Sequence, residues 1–152
     1  MSISEHVRKE KEDYNPMTVS AEQVTSELWQ DIDCVARHLH TVAASKGFWD
    51  EADQTEIILN SHDPKLALKY ITDVKISKMA LIHSEVSEAT EAIRKDSMDD
   101  KIPDMKGEVV ELADAIIRIL DYAGRYHLPL GEALTKKLAY NQTRPYKHGK
   151  LA

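Results

Sequence analysis

Two acidic residues set into an apolar helical stripe constrain this chain most. Leu81, Ile82, Ala89, Ala92 and Ile93 recur with the period of one helix face, and at about 100° per residue Glu85 falls inside their arc, with Glu88 at its edge. A carboxylate on an apolar face is seldom left unpaired, because burying it ionised costs several kcal/mol or forces it to take up a proton. A second acidic pair, Glu111-x-x-Asp114, follows downstream. Residues three apart share a helix face, so each pair directs two carboxylates at one spot, and two such helices packed antiparallel converge all four. Four like charges at close range repel and are costly to desolvate unless divalent cations neutralise them. Hard oxygen ligands of this kind suit magnesium, manganese or calcium.

The second pair is less decisive by itself. Val109, Val110, Ala113, Ile116, Ile117 and Leu120 make a wide apolar face, and Glu108, Glu111, Asp114 and Asp121 lie on the opposite strip, which by pattern alone also reads as a solvated outer surface. Only its pairing with Glu85 and Glu88 gives it chemical meaning. Glu91 falls further round the first helix and reads as a solvated residue.

A single domain is expected, since 152 residues with 42% hydrophobic content can bury one sizeable core and nothing in the length calls for a second. The formal charge of -6 argues against a broad electropositive surface for a nucleic acid polymer, whereas a local basic patch can still grip a nucleotide. Cys34 is the lone cysteine, and no cysteine or histidine cluster has the spacing of a zinc site, so a reducing compartment is expected. Met1 to Asp13 is charged throughout, without the apolar core of a signal peptide, and no apolar run reaches the length of a bilayer. The sequence therefore predicts a cytoplasmic protein without a membrane partner.

Along the chain, residues 1–17 show no sustained apolar period and are expected to form an irregular arm ahead of one helical domain at 18–152. Ser20 can cap a first helix through a Ser-x-x-Gln box to Gln23, with Val24, Leu28, Ile32, Val35, Leu39 and Val42 at helical spacing and Gly47 as its stop. Asp50 is expected to cap a short second helix ending near Asn60 and Ser61. Asp63-Pro64 restarts a long one, with an interruption expected near Thr72 and Asp73 and an end at about Asp96. A polar turn at Ser97 to Pro103 leads into a helix from Met105 to about Arg125, and Pro129 opens a last helix to about Asn141. Arg144 to Lys150 leaves it as a basic tail. No strand is expected; the architecture is all-α, a bundle of four to five helices.

The run Leu81-Ile82-His83-Ser84-Glu85-Val86-Ser87-Glu88-Ala89, then Glu111-Leu112-Ala113-Asp114, then Tyr140-Asn141-Gln142-Thr143-Arg144-Pro145-Tyr146-Lys147-His148-Gly149-Lys150, resembles the MazG-like family of all-α nucleoside triphosphate pyrophosphohydrolases. The family pattern is Glu-Glu-x-x-Glu, a linker, then Glu-x-x-Asp, and the likeness covers about residues 64 to 150. Its first glutamate is Ser84 here. The resemblance implies hydrolysis of a nucleoside triphosphate to monophosphate and pyrophosphate, with Mg2+, or Mn2+, held by Glu85, Glu88, Glu111 and Asp114. It also implies a homodimer or homotetramer with the site near a subunit boundary. Glu85 or Glu88 is the candidate general base, since an apolar setting can raise a glutamate's basicity; Ser84 is a poor base, so slower turnover or another water-positioning residue is expected.

Phosphates need counter-charges. Lys78, two turns before Glu85 on nearly the same strip, can reach one, or can lie on the surface with its stem over the core. Lys137, Arg144, Lys147 and Lys150 add positive charge near the C-terminus, where Arg144 can fork onto phosphate oxygens. Asn141 can read a base edge or sugar hydroxyl, or simply cap its helix. Phe48 and Trp49 can stack on a base or seal the core, and Cys34 reads as a core filler. No histidine pair has metal-ligand geometry, and only His148 in the tail merits a test.

Two other classes fit these residues less well. A di-iron or di-manganese bundle needs Glu-x-x-His motifs, and no glutamate here has histidine three positions on. A non-catalytic helical interaction protein accounts for the composition but not for Glu85 in its apolar setting. Within the resemblance, a phosphoribosyl-ATP pyrophosphohydrolase is the nearer rival.

Overall fold

In the computed structural model the backbone is described for residues 21–144 and the side chains for residues 29–144. The expected arm at 1–17, the Ser20 cap and the tail residues Lys147, His148 and Lys150 lie outside the described residues. Within them the chain is all-α: α1 (Ala21–Ser45), α2 (Asp50–His62), α3 (Pro64–Lys95), α4 (Gly107–Arg125) and α5 (Leu130–Gln142). No helix among the described residues is long and apolar enough to cross a membrane.

The punctuation residues act largely as their chemistry requires. Gly47, at φ 79°, sits in the left-handed region that an L side chain seldom adopts, and α1 ends just before it. Asp63 caps α3, accepting hydrogen bonds from the amides of Lys65 and Leu66 at 3.0 and 3.1 Å, with Pro64 as the first helical residue. Pro129 occupies the cap position of α5.

Three boundaries differ from the sequence reading. Asp50 is the first residue of α2 and not its cap; Trp49 takes the cap position without a side-chain hydrogen bond, because its ring is drawn into the core, where it is 1% exposed. Asp50, Glu51 and Asp53 instead place negative charge against the helix dipole. The interruption expected near Thr72 and Asp73 does not occur: the helix runs unbroken for 32 residues, and the Thr72 hydroxyl donates to the Leu68 carbonyl at 3.0 Å within it. Finally, α4 begins at Gly107, two residues after Met105, because the linker closes on itself. Met98 and Lys106 form an isolated bridge, Asp99 accepts from the amides of Lys101 and Ile102, and Ser97 accepts from Gly107.

That linker folds α4 back antiparallel along α3. Ala92 meets the start of α4 at Gly107, while Glu85 pairs with Arg118 further along it. Across the other side, α1 crosses α4 so closely that a Cβ on Gly124 would lie 2.2 Å from the Ala36 carbonyl oxygen. The α5 helix packs on α1, with the Gly131 amide donating to Asp33 at 3.0 Å, and α2 packs on α3.

Small side chains permit this close packing and leave a thin core. The buried apolar residues among those described are Ala36, Ala67, Ala89, Ala115, Ala123 and Trp49. Larger apolar residues, including Val109, Leu112, Ile116 and Ile119 along one side of α4, are exposed. Cys34 is exposed too, which corrects the expectation of a core filler: on α1 the buried position nearby is Ala36.

Candidate metal centre

The face that α4 turns to α3 is its acidic strip. Glu111, Asp114 and Asp121 are half-buried there, whereas Val109, Leu112 and Ile116 point outward. The solvated-surface reading of the strip therefore fails: α4 buries its polar side and exposes much of its apolar one.

Glu85, Glu88 and Glu111 each place a carboxylate oxygen so that all three lie within 4.8 Å of one another. Helical spacing on α3 supplies two, and the antiparallel return of α4 supplies the third. Asp114 stands beside the trio without being one of its three mutually close members; its charge reaches Glu111. Burial, then the charge of Glu88, the hydrogen bond with Glu85, and the charges of Glu85 and Asp114 together push the Glu111 carboxyl above its ordinary range. Three hard oxygen donors in mutual repulsion fit a divalent cation such as magnesium or manganese, whose charge would relieve it.

Glu85 is only 5% exposed, yet it is not orphaned. Arg118 Nε donates to Glu85 Oε1 at 2.6 Å, a charge-assisted bond that pairs the buried carboxylate. Ser84, by contrast, donates its hydroxyl to the Leu81 carbonyl at 2.8 Å and so satisfies its own helix. His83 is exposed.

A cavity of about 290 Å³ lies beside Asp114 and Arg118, without any of the three glutamates in its wall; Phe48, Lys78, Leu81, Ile117, Asp121 and Tyr122 also line it, with Ala43 at its α1 wall. Lys78 is thus placed at the cavity as its strip position suggested, but its ammonium is engaged. It donates to the Phe48 carbonyl at 3.2 Å and lies 3.9 Å from the centre of the Trp49 ring. Burial lowers its pKa, partly offset by the charge of Asp121. The two neighbouring aromatics divide the roles considered for them: Trp49 seals the core, and Phe48, 70% exposed, borders the cavity.

Asn141 and Arg144 are not brought to the cluster within one chain. Both are exposed at the end of α5, which packs on α1, and neither lines the cavity; Arg144 lies 5.9 Å from the Tyr140 ring centre. Lys137 lies 5.1 Å from the same ring.

Two features of the site were missed by motif spacing. Arg118 continues the strip Glu111, Asp114 at the next turn, and a lone cation among inward-facing acids was the signal available. Asp121, one turn on, accepts from both His40 Nδ1 and Trp49 Nε1. No pattern joined those residues, since 81 and 72 positions separate them from Asp121.

Compared with protein-family models, curated proteins and solved structures, the chain shows no match.

Proposed function

We propose that this chain is a divalent-metal-dependent phosphohydrolase. More particularly, we read it as a nucleoside triphosphate pyrophosphohydrolase, releasing monophosphate and pyrophosphate. The observation that supports this most is the meeting of Glu85, Glu88 and Glu111 within 4.8 Å across two helices, beside a cavity with cationic and aromatic walls. The motif resemblance supplies the reaction.

Glu85, Glu88 and Glu111 would hold the cation, with Asp114 completing the set from the cavity side. When bound, such ions supply charge neutralisation for a polyphosphate and acidify a water for attack at the α-phosphorus. Of the two candidate bases, the arrangement favours Glu88. Glu85 Oε1 is already occupied by Arg118, whereas Glu88 is exposed and can accept a proton from a water at the cluster's rim. Lys78 adds positive charge at the cavity wall while its ammonium stays on the Phe48 carbonyl and the Trp49 ring.

A homo-oligomer, dimer or tetramer, belongs to the same proposal. Among the described residues the buried apolar ones are five alanines and one tryptophan, and the exposed α4 row at Val109, Leu112, Ile116 and Ile119 offers a face for a second copy.

The test is a magnesium-dependent release assay over canonical, deoxy and damaged nucleoside triphosphates together with phosphoribosyl-ATP, reading monophosphate and pyrophosphate in equal amounts. Hydrolysis in 18O-labelled water places the label in the monophosphate under this reading. Label in pyrophosphate, or no turnover across the whole panel, would overturn it; turnover confined to phosphoribosyl-ATP would reassign the substrate.

A further inference from the structure

Arg118 touches both the acidic cluster and the cavity. Its Nε is spent on Glu85 Oε1 at 2.6 Å, and that choice of atom leaves the two terminal nitrogens outside the pair. The side chain remains 43% exposed and forms part of the cavity wall with Lys78, Ile117 and Tyr122. An arginine whose only task was to neutralise a buried glutamate would make the stronger contact, a fork of two parallel hydrogen bonds onto both carboxylate oxygens. Here one edge is anchored and Glu85 Oε2 is left free of Arg118.

The neighbouring cation cannot readily do the same work. The Lys78 ammonium is tied to the Phe48 carbonyl and rests on the Trp49 ring, and burial lowers its pKa. A guanidinium keeps its charge in such a setting and presents several donors in one plane.

We propose that Arg118 is a polyphosphate-binding residue, anchored through Nε to Glu85 while its terminal nitrogens take non-bridging phosphate oxygens in the cavity. The inference rests on the pyrophosphohydrolase reading and deepens it. Through one side chain the carboxylate that faces the cation and the anion that enters the cavity are held in a common frame, so metal and substrate sites are coupled.

The experiment measures equilibrium binding of Mg2+ alone, and of inorganic tripolyphosphate in saturating Mg2+, to the full chain and to its Arg118→Lys and Arg118→Ala forms. Loss of one charge-assisted contact weakens tripolyphosphate about tenfold or more in Arg118→Ala. Arg118→Lys keeps the charge without the planar fork and recovers only part of that loss. Mg2+ alone binds both variants within about threefold of the parent, or tighter, because a competing cation beside Glu85 has been removed or weakened. If Arg118→Ala does not fold, Arg118→Lys carries the comparison. Unchanged tripolyphosphate affinity in the variants overturns the inference, as does a fall in Mg2+ affinity that accounts for the whole loss, the mark of a purely structural arginine. Arg118-dependent tripolyphosphate binding by a chain that hydrolyses nothing would leave this site standing and remove the pyrophosphohydrolase reading.

Discussion

Trp49 Nε1 is shared between both carboxylate oxygens of Asp121, at 3.0 and 3.1 Å, and His40 Nδ1 adds a third contact at 2.9 Å. One carboxylate thereby ties α1 and the α1–α2 turn to α4 at the wall of the cavity. Trp49→Phe keeps most of the packing and loses the indole donor, which is expected to cost about 1–3 kcal/mol. Trp49→Ala also empties a buried site and is expected to cost about 3–5 kcal/mol. Urea unfolding of the two variants separates the terms; equal losses would mean that the ring's packing, including its edge contacts with His40 and Tyr126, adds little beyond the hydrogen bond.

Gly124→Ala places a methyl group against backbone. With the Ala36 carbonyl oxygen only 2.2 Å from the new Cβ, α1 and α4 must separate, and a loss of about 1–3 kcal/mol or more is expected. Thermal unfolding checks it, and a parental midpoint would show that the two helices do not cross as described.

Glu111 gives the metal-free protein a defined pH response. Its folded-state pKa lies above the ordinary 4.5, so between that value and its folded pKa the native state holds more protons than the unfolded chain. Stability from this group is complete below 4.5 and declines as pH rises through the folded pKa. In chelator, Glu111→Gln is therefore expected to melt above the parent at neutral pH, and Mg2+ should raise the parent's midpoint while hardly moving the variant's. A pH-independent difference between the two would contradict the repulsion described for the cluster.

The exposed row on α4 bears on assembly. Val109, Leu112, Ile116 and Ile119 are spaced to form one stripe, and Ile116→Glu sets a charge at its middle. Sedimentation is expected to show the parent as dimer or tetramer and the variant as a helical, smaller species. A parent that sediments as a monomer at micromolar concentration would remove the oligomer from the proposal.

Much of the architecture was legible because local chemistry and tertiary packing agree. Asp63-Pro64 and Gly47 fix helix ends by dihedral preference and capping, which need no partner, and so the sequence reading places them well. Glu85 was legible as anomalous because its apolar neighbours made burial a costly choice. What escaped was decided by contacts between elements. Trp49 displaced Asp50 from the cap because its ring was recruited by Tyr126 and Asp121. The acidic strip of α4 faces inward through pairing with α3, and a hydrophobic pattern read on one helix has no means of registering a carboxylate and a guanidinium arriving from another. Arg118 was hidden for that reason, although it shares a strip with Glu111 and Asp114.

The relation of Arg118 to Glu85 also has a stability consequence. Arg118→Ala leaves a nearly buried carboxylate without its donor, at an expected cost of about 1–3 kcal/mol, the half-exposed arginine keeping the figure below that of a fully buried pair. Arg118→Ala,Glu85→Gln should recover part of it, because the neutral amide no longer demands a counter-charge. A double variant no more stable than Arg118→Ala in urea unfolding would argue against the pair.

The claim on which the enzyme rests is that carboxylates from α3 and α4 jointly bind a divalent ion. Crystals soaked in manganese and measured at its absorption edge address this without reference to any substrate. The account expects an anomalous peak in direct contact with oxygens of Glu85, Glu88 and Glu111 that disappears in Glu88→Gln, whereas saturating manganese with no peak between those three residues would contradict it.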